Sequence, residues 1–292
     1  MSGIRPMSFG EILDGSLTLY RRNFGVFLRL AIASLIVPVL LVTYFMIFMV
    51  DRAMMAFMMM MIDPVLIAMV ALIAVTYIIG TLMLTAGTIR VISDSYLDRT
   101  ATFGQAIGLG VSKIWPLFVV GIAKGLLIGL VGIVLGFVLA VLGPILQGSG
   151  GGGTAILVIA GIVGIWFCCW IAAGYGVTTP VVVLEKLGSS LNAFGRSWGL
   201  TKGSRGKVVG LFIVAYLLFS FVPQLILQFI AGAVIRSSAG GSTLGTVLLA
   251  SSYVLPIILF PAISCVITLM YYDLRVRREA FDLQMLSQQL GG

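Results

Sequence analysis

The sequence predicts an all-α polytopic membrane protein: six transmembrane helices, built as three repeats of an amphipathic helix followed by a transmembrane hairpin, with both termini in the cytoplasm (N-in/C-in). Three observations carry this. Hydrophobic residues make up 60% of the 292 and charged residues only 10%, whereas an ordinary soluble domain carries about 25% charged residues. Apolar stretches with few or no charges recur along the chain, and a bilayer-spanning helix needs about 20 such residues. The formal charge of +8 is concentrated in alternate connections, and Lys and Arg are retained on the cytoplasmic side.

The elements follow in order. Ser8-Phe9-Gly10-Glu11 is a capping box, in which the hydroxyl and the carboxylate each satisfy a backbone amide that a starting helix leaves free. After it, Phe9, Ile12, Leu13, Leu17 and Tyr20 recur at helical spacing, while Glu11, Asp14, Thr18 and Arg21 fall largely elsewhere on the wheel. That pattern is an interfacial amphipathic helix feeding a span. Spans are expected at about 25–50, 65–93, 116–146, 154–184, 208–234 and 244–272. The first hairpin closes through the methionine-rich stretch Asp51 to Pro64, and the second through the flexible Gln147-Gly-Ser-Gly-Gly-Gly-Gly-Thr154. A second capping box, Thr102-Phe103-Gly104-Gln105, opens the next amphipathic segment, and a weaker third copy begins near Ser189 with Asn192 in place of Glu or Gln. Tyr96-Leu97-Asp98, Val183-Leu184-Glu185 and Tyr272-Asp273 each place an acid where an even-numbered span ends. A single membrane domain, 1–292, therefore divides into repeat 1 (8–98), repeat 2 (102–185), repeat 3 (189–273) and a cytoplasmic tail (274–292), with a period near 90 residues. Pro38 and Pro223 fall at similar depths in the first and fifth spans.

Composition also limits the chemistry. Histidine is absent, which removes the commonest general base and the commonest metal ligand together. Cys168, Cys169 and Cys265 lie in apolar runs without CxxC spacing and read as small apolar side chains. The near-consecutive methionines of the first loop lack the spacing of a soft-metal motif. No phosphate loop, nucleophile elbow or HExxH is present. No catalytic residue, metal or cofactor is expected, nor nucleic acid as a partner. A cleaved signal peptide is not expected either, since Glu11 and Asp14 precede the first apolar run.

Three groups of residues stand out against this background. Gly121, Gly125, Gly129, Gly132 and Gly136 line the third span at three- and four-residue spacing, which suits close helix packing within the fold or a homo-oligomer interface. Lys124 sits in that span, with Asp94 and Arg90 as candidate neighbours, and Gln224 and Gln228 share a face of the fifth span beside Pro223. Polar groups in a membrane mark a transport site by default, although snorkelling of Lys124 and interhelical hydrogen bonding by the glutamines are the ordinary structural uses. Arg21, Arg22, Arg275, Arg277 and Arg278 are expected at the interface, where they would meet anionic lipid headgroups.

Two segments carry a resemblance. Met7-Ser-Phe-Gly-Glu-Ile-Leu-Asp-Gly-Ser-Leu-Thr-Leu-Tyr-Arg-Arg-Asn-Phe24 and Met270-Tyr-Tyr-Asp-Leu-Arg-Val-Arg-Arg-Glu-Ala-Phe-Asp-Leu283 resemble the opening and closing motifs of the bacterial glycerophosphoryl diester phosphodiesterase membrane-domain family and of related uncharacterised six-span proteins. The resemblance brackets nearly the whole chain, and the interior matches only in its hydrophobic plan. It implies a protein of the bacterial cytoplasmic (inner) membrane. It implies no activity, because in that family the name reflects fusion to a separate catalytic domain that uses histidine and metal-binding carboxylates, and this chain has neither that domain nor a histidine. The expected function is a noncatalytic scaffold or accessory subunit engaging lipid or a larger membrane complex. The alternative is a transporter or lipid-handling permease with a polar site near Lys124, Gln224 and Gln228.

Overall fold

A computed structural model describes residues 5–147, 151–237 and 243–279. Parts of two expectations lie outside these residues: the glycine link at 148–150 and the tail and closing motif from 280 onward. The described chain is helical, in the order α1 (Phe9–Arg22), α2 (Phe24–Phe48), α3 (Val50–Met58), α4 (Pro64–Tyr96), α5 (Phe103–Ser112), α6 (Ile114–Gln147), α7 (Gly151–Gly174), α8 (Thr178–Leu184), α9 (Asn192–Thr201), α10 (Arg205–Tyr216), a π-helical turn (Leu217–Phe221), α11 (Val222–Ser237) and α12 (Thr243–Glu279). Among the described residues, six stretches are long and apolar enough to cross a membrane: Phe24–Phe48, Pro64–Tyr96, Ile114–Ile145, Gly152–Leu184, Arg205–Ser237 and Val254–Glu279. Their outward surfaces are apolar: on α6, Leu126, Ile133 and Phe137 are each about 70% exposed. Burying so many exposed apolar side chains requires lipid as the solvent, and the chain is an integral, multi-pass membrane protein.

The boundaries reveal local chemistry. At α1 the capping box forms: the Ser8 amide donates to Glu11 Oε2 at 2.7 Å and the Glu11 amide to Ser8 Oγ at 3.3 Å. The Ser8 amide, Arg5 and the Ser8 hydroxyl together hold the Glu11 carboxyl down at about 2. Its contribution to the helix start is therefore complete above its ordinary value of 4.5 and lost as pH falls through about 2. Ser8→Ala is expected to cost about 0.5 kcal/mol, given the long hydroxyl bond, read as faster amide exchange over the first turn of α1. The second box is a correction. Thr102 makes no side-chain cap on α5, so the signature Thr102–Gln105 marks the helix start without the hydrogen bonds it was expected to supply. At α9 the first side-chain contact is a looser turn, the Leu191 amide donating to Ser189 Oγ at 3.4 Å. The buried line of α1 is also offset from the expected one: Ile12, Ser16 and Leu19 are buried, while Phe9 is 37% exposed.

The first hairpin loop contains α3, whose methionines Met54, Met55 and Met58 are exposed. Asp63 caps α4 by accepting from the Val65 and Leu66 amides and also pairs with Arg52. At the other end of α4, Asp98 takes a left-handed conformation (φ 54°) and the Arg99 amide donates to the Asp94 carbonyl at 2.7 Å. That is a helix-terminating turn of the Schellman kind, so Asp98 is a stop signal and Asp94 is the buried acid.

The chain forms two compact units. One comprises Ser16–Trp115 and Leu218–Cys265; the other comprises Met1–Gly15, Pro116–Leu217 and Val266–Gly292, so far as these are described. In the first, α4 packs on α2 and α5 through glycines. A Cβ added at Gly80 would stand 2.3 Å from the Ser34 carbonyl oxygen, and one at Gly110 would stand 2.8 Å from that of Met83. The bend between α1 and α2 is held by Asn23, whose amide nitrogen donates to the Leu19 carbonyl and to Ser95 Oγ. Tyr20 donates to the Ile258 carbonyl and stacks against Phe27.

In the second unit the fourth span is broken between α7 and α8. Pro180 has no amide proton and its ring excludes the carbonyl four residues earlier, so the helix cannot run straight through Gly176. The Gly174 carbonyl is recovered by α9, accepting from Ser197 Oγ at 2.9 Å and Thr201 Oγ1 at 3.2 Å. Gly174 and Gly176 have no room for a side chain: a Cβ would meet the Trp198 ring at 2.4 Å and Phe212 at 2.7 Å, respectively.

Candidate functional site

The charged end of the second unit is a built structure. Glu185, just past α8, receives Arg196 of α9 through two hydrogen bonds of 2.9 and 3.3 Å, and accepts from the Tyr271 hydroxyl at 2.9 Å. Arg196 also pairs with Glu279, which takes Arg275 at 3.1 Å. Burial works against the Arg196 charge, but the Glu279 and Glu185 carboxylates outweigh it and hold the guanidinium above its ordinary value. Beside this network Asp273, fully buried, accepts from the Met7 amide at 2.7 Å, from Lys207 Nζ at 2.6 Å and from Arg277 Nε at 3.0 Å. The Met7 carbonyl in turn accepts from Lys207 at 2.7 Å and Arg277 at 2.8 Å. The two sequence segments that carried the resemblance, beginning at Met7 and at Met270, are thus hydrogen-bonded to each other.

Four cations are therefore committed to three carboxylates. Arg275 and Arg277, expected as interfacial basic residues, hold the fold together instead, because each reaches an acid four residues away on α12 or beside it. Arg278, Lys202, Arg205 and Lys186 have no carboxylate partner among the described residues. Arg21 and Arg22 are exposed in the last turn of α1, where positive charge complements the helix dipole.

Next to the network lies an open cleft of ≈ 740 Å³ lined by Trp170, Trp198, Lys202 and Arg205 and by four glycines, Gly195, Gly199, Gly203 and Gly206. The Arg205 guanidinium sits in the corner of two indoles that meet edge to face, their centres 5.7 Å apart and their planes at 88°; it lies 3.8 Å from the Trp170 ring centre and 3.7 Å from that of Trp198, a double cation–π contact. Its Nε is buried without a hydrogen-bond partner. This cleft was not read from the sequence. Its available signal was the glycine-spaced run Gly195 to Gly206 carrying Trp198, Lys202 and Arg205, but the contribution of Trp170 depends on tertiary folding.

The intramembrane candidates fare differently. Asp94 is buried and paired with Arg90 of its own helix at 2.8 Å. Gln228 is exposed, and Gln224 has its Oε1 buried without a hydrogen-bond partner. Ahead of Pro223 the π-helical turn Leu217–Phe221 absorbs the mismatch in the backbone ladder. Lys124 is half-buried on α6. None of these five residues lines the cleft or the small apolar cavity of ≈ 120 Å³ between Leu35, Tyr77, Leu84 and Phe260.

For packing within the fold, the glycine line of α6 is a further correction. Gly121, Gly125, Gly129, Gly132 and Gly136 are exposed, and nothing stands within 4 Å of a Cβ built on any of them. The close approaches expected there are made by Gly80, Gly110 and Gly174 instead. Gly125→Ala should therefore stabilise the helix or leave it unchanged, within about 1 kcal/mol, in thermal unfolding of the detergent-solubilised protein.

The chain matches no protein-family model, no curated protein and no solved structure, and the functional reading rests on the geometry and chemistry of these residues.

Proposed function

We infer that the chain is a noncatalytic protein of the bacterial cytoplasmic membrane, a scaffold or accessory subunit whose basic end engages anionic lipid headgroups on the cytoplasmic side. The observation that carries this reading is the division of cations at the charged end of the second unit. Arg196, Lys207, Arg275 and Arg277 neutralise Glu185, Asp273 and Glu279 and fix the architecture, while Lys202, Arg205 and Arg278, gathered about one cleft, remain for an outside anion. Surface Lys and Arg each contribute about 1 kcal/mol to binding an anionic membrane. The absence of histidine from the sequence favours a noncatalytic role, and the thrice-recurring order of a short helix and two long spans favours the repeat.

Transport would require Lys124, Gln224 and Gln228 to share a cavity, and no specific observation favours that reading. The test is lipid analysis of the protein extracted from bacterial membranes under mild detergent. Anionic phospholipid should be enriched over the bulk membrane composition. Co-purified lipid matching the bulk composition would sink the proposal.

A further inference from the structure

We propose that the cleft between Trp170, Trp198, Lys202 and Arg205 is a binding site for the phosphate group of an anionic phospholipid; this rests on the lipid-engaging reading above and gives it a location. Three features point to an oxyanion. The first is the state of Arg205. With two indoles packed against it, its N–H groups still require acceptors: the buried Nε has none, and among the described residues nothing accepts from the guanidinium. A guanidinium does not shed its proton, so the demand for an acceptor is permanent. The aromatic pair also fixes the side chain before any ligand arrives, so little rotamer freedom is lost on binding.

The second feature is the company it keeps. Lys202 is exposed on the same cleft, and Arg278 reaches in from α12: its Nη2 lies 2.9 Å from where a Gly203 Cβ would stand. Neither has an anionic partner among the described residues, although Arg196, Lys207, Arg275 and Arg277 nearby all do. Like charges gathered on one turn repel, and an anion seated among them removes that cost. Planar guanidinium edges and an ammonium together match the geometry of a phosphate.

The third feature is access. Gly203 turns the chain with φ +80°, and Gly195, Gly199 and Gly206 have nothing within 4 Å of a Cβ position, so the walls let a ligand approach the backbone. Ser204 supplies no side-chain cap to α10, which leaves first-turn amides available in the same place. The volume lies within the range of about 300–1,000 Å³ typical of small-molecule sites.

The lipid source follows from position. Arg205 is the first residue of the fifth span, and Trp170, one turn before the break in the fourth, is packed against it. An arginine at a span end sits at headgroup depth, where phosphate is presented by lipid.

Native mass spectrometry of the purified full chain, titrated with phosphatidylglycerol, phosphatidylcholine or inorganic phosphate, tests the assignment. Wild type should retain phosphatidylglycerol at least fivefold over phosphatidylcholine. Lys202→Gln and Arg278→Gln, both at exposed positions that the fold tolerates, should each lower that retention at least threefold, and Arg205→Gln at least tenfold. Lys186→Gln, an exposed cation outside the cleft, should change it less than twofold. An equal loss in Lys186→Gln and Lys202→Gln would overturn the cleft while leaving general engagement of anionic lipid intact. No preference for phosphatidylglycerol in wild type would overturn both. Displacement of the lipid by equimolar inorganic phosphate would show that the site takes free phosphate and overturn the lipid assignment.

Discussion

Asp273→Ala is expected to destabilise the protein by about 3–5 kcal/mol, the range for removing one member of a buried ion pair. The carboxylate is fully buried and receives three donors: the Met7 amide, Lys207 Nζ and Arg277 Nε. Removing it leaves Lys207 as a poorly solvated ammonium and the Met7 amide without an acceptor. Asp273→Asn should recover little, because the new amide protons face groups that are already donors. Met7→Ala, by contrast, should be nearly silent, within about 0.5 kcal/mol, because Asp273, Lys207 and Arg277 read the backbone of residue 7 and not its side chain. Thermal unfolding in detergent micelles checks the magnitudes. Protease access at the segment before α1 checks the mechanism, since that segment should be released in Asp273→Ala and stay protected in Met7→Ala. A mild effect of Asp273→Ala with an unmoved N-terminal segment would refute the anchor.

The spans were legible in the sequence because their signal is local. An expected span at 116–146 meets a helix at Ile114–Ile145, and 65–93 meets Pro64–Tyr96, since length and apolarity alone decide whether a stretch can cross a bilayer. The acids at the span ends were half legible. Glu185 and Asp273 stood out by position, but their partners lie far along the chain: Tyr271 is 86 residues from Glu185, and Met7 is 266 from Asp273. Asp98 shared their sequence context and does a different job, because a left-handed backbone at a helix end is set by the turn and not by the charge. The break at Tyr175–Val177 had a visible cause in Pro180, masked by an apolar run that continues through it. The cleft was invisible for the reason the anchor was. The double cation–π contact of Arg205 takes two rings from separate helices, and neither Trp170 nor Trp198 announces the other.

Glycine spacing misled most, and the second large effect follows from it. Gly80→Val is expected to destabilise the first unit by more than the 1–3 kcal/mol typical of an overpacked site. Even the first added carbon would stand 2.3 Å from the Ser34 carbonyl oxygen and 2.9 Å from Leu35 Cδ2, and the nearer obstacle is backbone, which cannot swing aside as a side chain can. The two helices must separate, which opens the packing of α2 against α4 along its length. Gly80→Ala should show the same loss in smaller measure, and Gly125→Ala should show none. Periodicity could not rank these positions, because the five glycines of α6 form the better motif while Gly80 has only Gly87, seven residues on, in its apolar run. Spacing reports which residues share a helix face, and only the neighbouring helix determines whether that face needs to be bare. Parallel unfolding curves for Gly80→Ala, Gly80→Val and Gly125→Ala in the same detergent decide the matter. Equal midpoints for Gly80→Ala and Gly125→Ala would refute the close α2–α4 crossing.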